Sequence, residues 1–117
     1  MNLDCINAWQ AERIELNDLV MRYADLPMKR FWGLDLQVYR EGALPARVKE
    51  MLGLVASLVL WCDDCILYHL IRCHEEGLSD EELDEALSTG LVVGGSITIP
   101  HLRRAFQAWE AMGQPQE

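Results

Sequence analysis

The sequence predicts an all-α domain of about five to six helices. Three observations lead there. Apolar residues recur at helical rather than alternating spacing, prolines stand only at 27, 45, 100 and 115, and no Asn-Gly type of hairpin signal separates the apolar runs. At 117 residues, half of them hydrophobic, the chain is sized for a single domain, 1–117, with one packed core.

From Leu3 to about Ala24, the residues Ile6, Trp9, Ile14, Leu16, Leu19, Val20 and Tyr23 form a helical stripe, which the Leu26-Pro27 step ends. Residues 27–44 mix Gly33 and Gly42 with Phe31, Trp32, Leu34, Leu36 and Val38, and read as a connecting segment with one short helix. This N-terminal part, 1–44, precedes a core region over 45–112. Pro45 suits the first turn of a helix, where its missing N–H needs no partner, and that helix runs through Val48, Met51, Leu52, Val55 and Leu58 to about Leu60. Gly53 and Ser57 are small enough to admit a close neighbour. The apolar run Met51–Trp61 has about half the ~20 residues a membrane span needs, so it reads as a buried helix.

A helix from about Cys62 to Glu76 follows, with Gly77 as its left-handed terminator. Ser79 and Glu82 make a capping box for a helix to about Val92. Gly94-Gly95 breaks the chain, and Thr98 with Pro100 opens a last helix carrying Leu102, Phe106 and Trp109. Gln114–Glu117 reads as a frayed tail.

Ten Lys and Arg against nineteen Asp and Glu leave a net charge of −9, which lacks the basic footprint that nucleic acid or an anionic membrane would require. The start, MNLDCINAWQAER, has no basic segment followed by a long apolar one, so a cytoplasmic location is expected and the four cysteines are expected to be mostly reduced.

The chemistry concentrates in Glu50, eleven intervening residues, and then Cys62-Asp-Asp-Cys65-Ile-Leu-Tyr-His69. At about 100° per residue, Cys62, Cys65 and His69 fall within about 60° on one helix face. Cys62 and Cys65 can approach closely enough for a disulfide, the helix dipole favours a thiolate near its start, and His69 lies one turn beyond Cys65. Asp63 and Asp64 oppose thiol ionisation, and the net sign stays open. The competing reading makes the cysteines small apolar residues of a helical core. Glu50, taken alone, reads as a solvated residue beside Lys49, and its setting before a long apolar helix raises the functional reading.

Zinc is disfavoured, because Cys62 to Cys73 spans roughly 16 Å along a helix and no second ligand pair stands elsewhere. No metal and no cofactor are therefore expected. Cys5 and Cys73 read as packing residues, His74 as an exposed residue near its helix end, and His101 as part of the first turn of the last helix.

With Glu-Glu-Gly-Leu-Ser-Asp-Glu-Glu-Leu at 75–83 and Gly94-Gly95 before a final amphipathic helix, the stretch from Leu44 to Met112 resembles the alkylhydroperoxidase D-like branch of the carboxymuconolactone decarboxylase family. The resemblance implies an all-helical fold and a thiol-dependent peroxidase in which Cys65 attacks a hydroperoxide and Cys62 resolves it to a disulfide. Glu50 and His69 then assist proton transfer, and an external dithiol, dihydrolipoyl or thioredoxin-like, resets the pair. It also implies a homotrimer or homohexamer. The decarboxylase branch generally lacks the cysteine pair. Two departures stand out: Asp64 occupies the place where the best-known peroxidases carry a further His, and the chain is one short repeat. The alternatives are a non-enzymatic helical oligomer, a redox-sensing protein, or a weak protein-disulfide reductase.

Overall fold

A computed structural model describes residues 1–113, so the Gln114–Glu117 tail lies outside the described residues. Six α-helices follow one another: α1 (Leu3–Tyr23), α2 (Leu26–Val38), α3 (Ala46–Val59), α4 (Asp63–Glu75), α5 (Asp80–Gly94) and α6 (Ile99–Met112), with a 3₁₀ turn at Ser96–Thr98. Among the described residues there is no strand.

Helix α4 is the centre of the packing. It lies between α3 and α6, and α3 packs in turn against α5. Leu54 and Leu58 from α3, Ile66, Leu67 and Leu70 from α4, Leu83 and Leu87 from α5, and Ala105 and Trp109 from α6 form one apolar cluster. Truncating a fully buried leucine such as Leu70 to alanine costs about 2–5 kcal/mol, because lost transfer energy and an unfilled cavity add.

The capping box of α5 and the glycine terminator of α4 act as anticipated, whereas Pro45 is the N-cap of α3 rather than part of its first turn, and Thr98 caps no N–H of α6, its hydroxyl donating instead to Gly95 O. Ser79 accepts from Glu82 N–H while the Glu82 side chain accepts from Ser79 N–H, closing the capping box. The backbone bond from Ser79 is the first cause holding the Glu82 carboxyl below its ordinary value. Glu82 also pairs with Arg47, tying α5 to α3. Gly77, at φ 78°, terminates α4 by a Schellman pair: its N–H donates to His74 O, and Leu78 N–H donates to Cys73 O.

The N-terminal part departs from expectation. The connecting segment contains a 13-residue helix, α2, capped by Asp25 and started through Pro27. None of its residues is buried. The α1 stripe is not a core face either, since only Ile6 is buried while Ile14, Leu16 and Tyr23 are exposed. The cause is common to both: α1 touches the body mainly through α6 and its first turns, and α2 lies outside the packed cluster. Cys5, anticipated as a packing residue, is exposed on the solvent side of the first turn of α1; Cys73 is buried in the core. In α3, Leu54 and Leu58 are buried, yet Leu52 and Leu60 face outward, so the apolar run is only half covered. Among the described residues no helix is long and apolar enough to cross a membrane.

Candidate functional site

The turn from α3 to α4 fixes the cysteines. Trp61 N–H donates to Leu58 O and Cys62 N–H to Ser57 O, a second Schellman pair, but its left-handed position is filled by Trp61 at φ 60°. A bulky side chain there is strained, in contrast to Gly77 at the other end of α4. Cys62 then becomes the N-cap of α4, its Sγ accepting from Cys65 N–H at 3.2 Å. The two sulfurs are bonded as a disulfide, with Cα atoms 5.2 Å apart. Cys65 is exposed and Cys62 half-buried.

One turn further along α4, His69 is withdrawn from solvent, and Glu50 from α3 is 2% exposed. His69 Nδ1 and Glu50 Oε2 lie 2.9 Å apart, so a carboxylate at Glu50 accepts the Nδ1–H and leaves Nε2 as the acceptor nitrogen of the ring. The competing reading of Glu50 as a solvated residue does not hold, because α3 points this residue inward against α4. The Arg72 guanidinium reaches Glu50 Oε1 at 3.6 Å and compensates part of the buried charge. Arg72 itself is held above its ordinary value by Glu75 and Glu50, which outweigh the opposing effect of burial.

The close approach of α3 and α4 depends on Gly53. A Cβ there would stand 2.6 Å from His69 Cε1 and 2.8 Å from both Nε2 and the Tyr39 hydroxyl. Ser57, one turn on, satisfies its buried hydroxyl by donating to Gly53 O at 2.6 Å.

Tyr39, at the end of α2, carried no functional signal in the sequence. Its hydroxyl lies 3.4 Å from His69 Nε2 and its ring stands 5.2 Å from the imidazole, centroid to centroid. Burial, reinforced by Asp35 and Glu50, pushes the Tyr39 hydroxyl up from its ordinary value. Tyr68 is pushed up chiefly by burial and then by Glu50, against opposition from Arg13 and Arg72. Both phenols are therefore proton donors at neutral pH.

Two acidic residues separate the cysteines, and the structure treats them differently. Asp63 is bound to α6, with Oδ1 2.8 Å from His101 Nδ1 and Oδ2 accepting from Arg104 Nε at 2.9 Å. Among the described residues no cation lies within ion-pair distance of Asp64, whose Oδ1 accepts from Trp9 Nε1 at 3.3 Å. The Asp63 charge is thus offset beside the sulfurs while that of Asp64 is not. His101 occupies the first turn of α6 as anticipated. His74 is half-buried rather than exposed, its Nε2 2.9 Å from Gly113 O and its ring edge-on to Trp109.

A cavity of about 600 Å³ opens between α1 and α4, and Cys65 and His69 form part of its wall. Trp9, Arg13 and Leu16 close it from α1, with Arg13 stacked 4.2 Å over the Tyr68 ring. Glu50, Tyr39 and Arg72 border a separate opening between α2, α3 and α4. The His69–Glu50 pair thus lies between the two openings. Among the described residues no group of three or more His, Cys, Asp or Glu could hold a metal ion.

Residues 26–110 match the model of the carboxymuconolactone decarboxylase family. The chain belongs to that family. The match takes in α2 as well as the helices that build the site. Two crystal structures of a Thermotoga maritima protein superpose on this family member with TM-scores of 0.85 and 0.86, at 58% and 57% identity. They cover 86% and 90% of this chain and 89% of theirs. One is described as a "carboxymuconolactone decarboxylase family protein possibly involved in antioxidative response". Two further relatives are an uncharacterised protein of Cupriavidus necator, 28% identical over 73% of this chain and 75% of its own length, and uncharacterised protein 4 of the cox locus of Paracoccus denitrificans. The latter is 26% identical over 65% of this chain and 68% of its own length.

Proposed function

We propose that this family member is a dithiol peroxidase of the alkylhydroperoxidase D-like kind, with Cys65 as nucleophile, Cys62 as resolving thiol, and His69 with Glu50 handling the proton. One observation carries the reading: an exposed Cys65, paired with Cys62, opens on a cavity whose wall also contains His69, backed by buried Glu50. Cysteines serving only as packing residues would not combine an exposed sulfur with a buried imidazole–carboxylate pair. The antioxidative connection of the Thermotoga maritima relative supports the same reading.

In the reduced protein, His69 Nε2 accepts the Cys65 proton. The thiolate attacks the terminal oxygen of R–O–O–H; the O–O bond breaks, Cys65 becomes a sulfenic acid, and the leaving alkoxide takes the proton back from His69 as ROH. Cys62 then attacks the sulfenic sulfur, water departs, and the disulfide forms. An external dithiol exchanges with that disulfide, is itself oxidised to a disulfide, and restores both thiols.

The test is a thiol count. Reduced protein given one equivalent of an organic hydroperoxide loses two thiols per chain, and dihydrolipoamide restores them. No loss would return the pair to a structural or signalling role.

A further inference from the structure

The Cys65 cavity is lined unevenly in charge. Among the described residues, Glu12, Asp35 and Asp64 place three exposed carboxylates around it, against the guanidinium of Arg13, which is stacked on Tyr68. The rest of the chain adds to the same sign, at −9 overall. A cleft with an excess of one sign of charge carries that sign's potential, and Cys65 shares the wall of this one with the carboxylates. The remaining wall is apolar or aromatic, from Trp9, Leu16 and Tyr68.

We propose that the carboxylates around the cavity, Asp64 and Asp35 above all, discriminate against anionic hydroperoxides. This rests on the peroxidase reading and adds a charge selectivity to it. An uncharged alkyl or aryl hydroperoxide lays its body against Trp9, Leu16 and Tyr68 and presents its terminal oxygen to Cys65. A carboxylate-bearing hydroperoxide of the same shape must bring its charge past Asp64 and Asp35. The same field acts on reductants, favouring an uncharged dithiol over the glutathione anion. Asp64 matters most because it adjoins Cys65 in the chain and, among the described residues, no cation lies within ion-pair distance of it, whereas Asp63 is held by Arg104.

The experiment compares cumene hydroperoxide with its para-carboxylated analogue in single-turnover oxidation of the reduced full chain, read as thiol loss. At low ionic strength the anionic compound reacts about tenfold more slowly. Added salt at about 0.5 M shrinks the gap to about twofold, since charges more than ~3–5 Å apart are then screened. Asp35→Asn combined with Asp64→Asn lowers the ratio of the two rates several-fold at low salt; asparagine at 64 keeps an oxygen to accept from Trp9. Equal rates at low ionic strength would overturn the selectivity, as would a gap indifferent to both salt and substitution, which would assign discrimination to shape. If neither compound oxidises the thiols, the peroxidase reading itself falls, an outcome distinct from the other two.

Discussion

Nδ1 of His69 stands 2.9 Å from Oε2 of Glu50, joining α4 to α3 through two side chains that are both withdrawn from solvent. In such a setting the carboxylate fixes which ring nitrogen carries the proton and stabilises the imidazolium formed when Nε2 accepts one. Glu50→Gln keeps a hydrogen-bond acceptor but removes the charge, and His69→Asn removes the proton carrier. Each is expected to slow thiol oxidation by about 10²-fold, the low end of general acid–base assistance, with the protein still folded. Stopped-flow oxidation alongside circular dichroism checks both halves; wild-type rates in both variants would exclude the pair from the chemistry.

Gly53 sets the distance between the two helices that carry this pair. In Gly53→Ala the new methyl would stand 2.6 Å from His69 Cε1 and 2.8 Å from the Tyr39 hydroxyl, so the imidazole must move. The expected cost is about 1–3 kcal/mol of stability, as for other overpacked sites. Oxidation should also slow, because a displaced His69 loses its alignment with Cys65. Urea unfolding and single-turnover oxidation measure the two effects, and an unchanged rate in a destabilised variant would separate His69 placement from catalysis.

Much of the site was legible before the fold was known, for a physical reason. Cys65 and His69 share one helix and Cys62 is its N-cap, so the relation of Cys65 to His69 follows from helical periodicity and that of Cys62 from a local cap. Glu50 was legible through its setting before a long apolar helix and its family spacing, because nothing local to Lys49-Glu50 reveals that α3 turns this residue toward α4. Tyr39 and Trp9 were illegible: they reach the site from the end of α2 and the start of α1, a placement made by tertiary contacts. The exposed stripe of α1 failed in the opposite sense, since periodicity reports an apolar face without reporting what covers it.

That uncovered face leads to an expectation about assembly. Ile14 on α1 and Phe31, Leu34 and Leu36 on α2 are all exposed, giving the N-terminal helices more apolar surface than a small soluble monomer ordinarily shows. Sedimentation at micromolar concentration is expected to give a homotrimer or homohexamer, and Phe31→Glu is expected to lower the mass. A monomeric wild type would remove the expectation.

Cys73 provides a pH prediction that is independent of the redox pair. Burial first, then Glu50 and Glu76, push its thiol up to about 12 from an ordinary value of 9.0. The folded state therefore holds this proton where the unfolded state has lost it. The contribution to stability is full below about pH 9 and declines as pH rises toward about 12. Wild type should lose stability in that window more steeply than Cys73→Ala, even though the variant starts less stable for want of a core side chain. Parallel curves would mean that the unfolded and folded thiols titrate alike. At pH 7, a thiol reagent should modify Cys5 quickly and leave Cys73 untouched until the protein unfolds.

The last prediction separates Cys62 from Cys65, because the structure gives each sulfur a different advantage. Cys62 Sγ caps α4 and accepts from Cys65 N–H at 3.2 Å, so a thiolate there enjoys the helix dipole and a backbone donor. Cys65 is exposed, lines the cavity, and lies one turn from His69, so it has access and a proton acceptor. A peroxide requires access first, which makes Cys65 the nucleophile. A stabilised thiolate at Cys62 suits a resolving thiol, and makes its sulfur the better leaving group when the disulfide is reduced. Cys65→Ser is therefore expected to abolish reaction with hydroperoxide, since a serine hydroxyl stays protonated at neutral pH. Cys62→Ser is expected to react once and stop as a sulfenic acid at Cys65, which a dimedone-type trap labels at a single site, whereas wild type closes its disulfide and labels little. Labelling at Cys62 in Cys65→Ser, with none at Cys65 in Cys62→Ser, would reverse the assignment and show that the N-cap position outweighs exposure and His69.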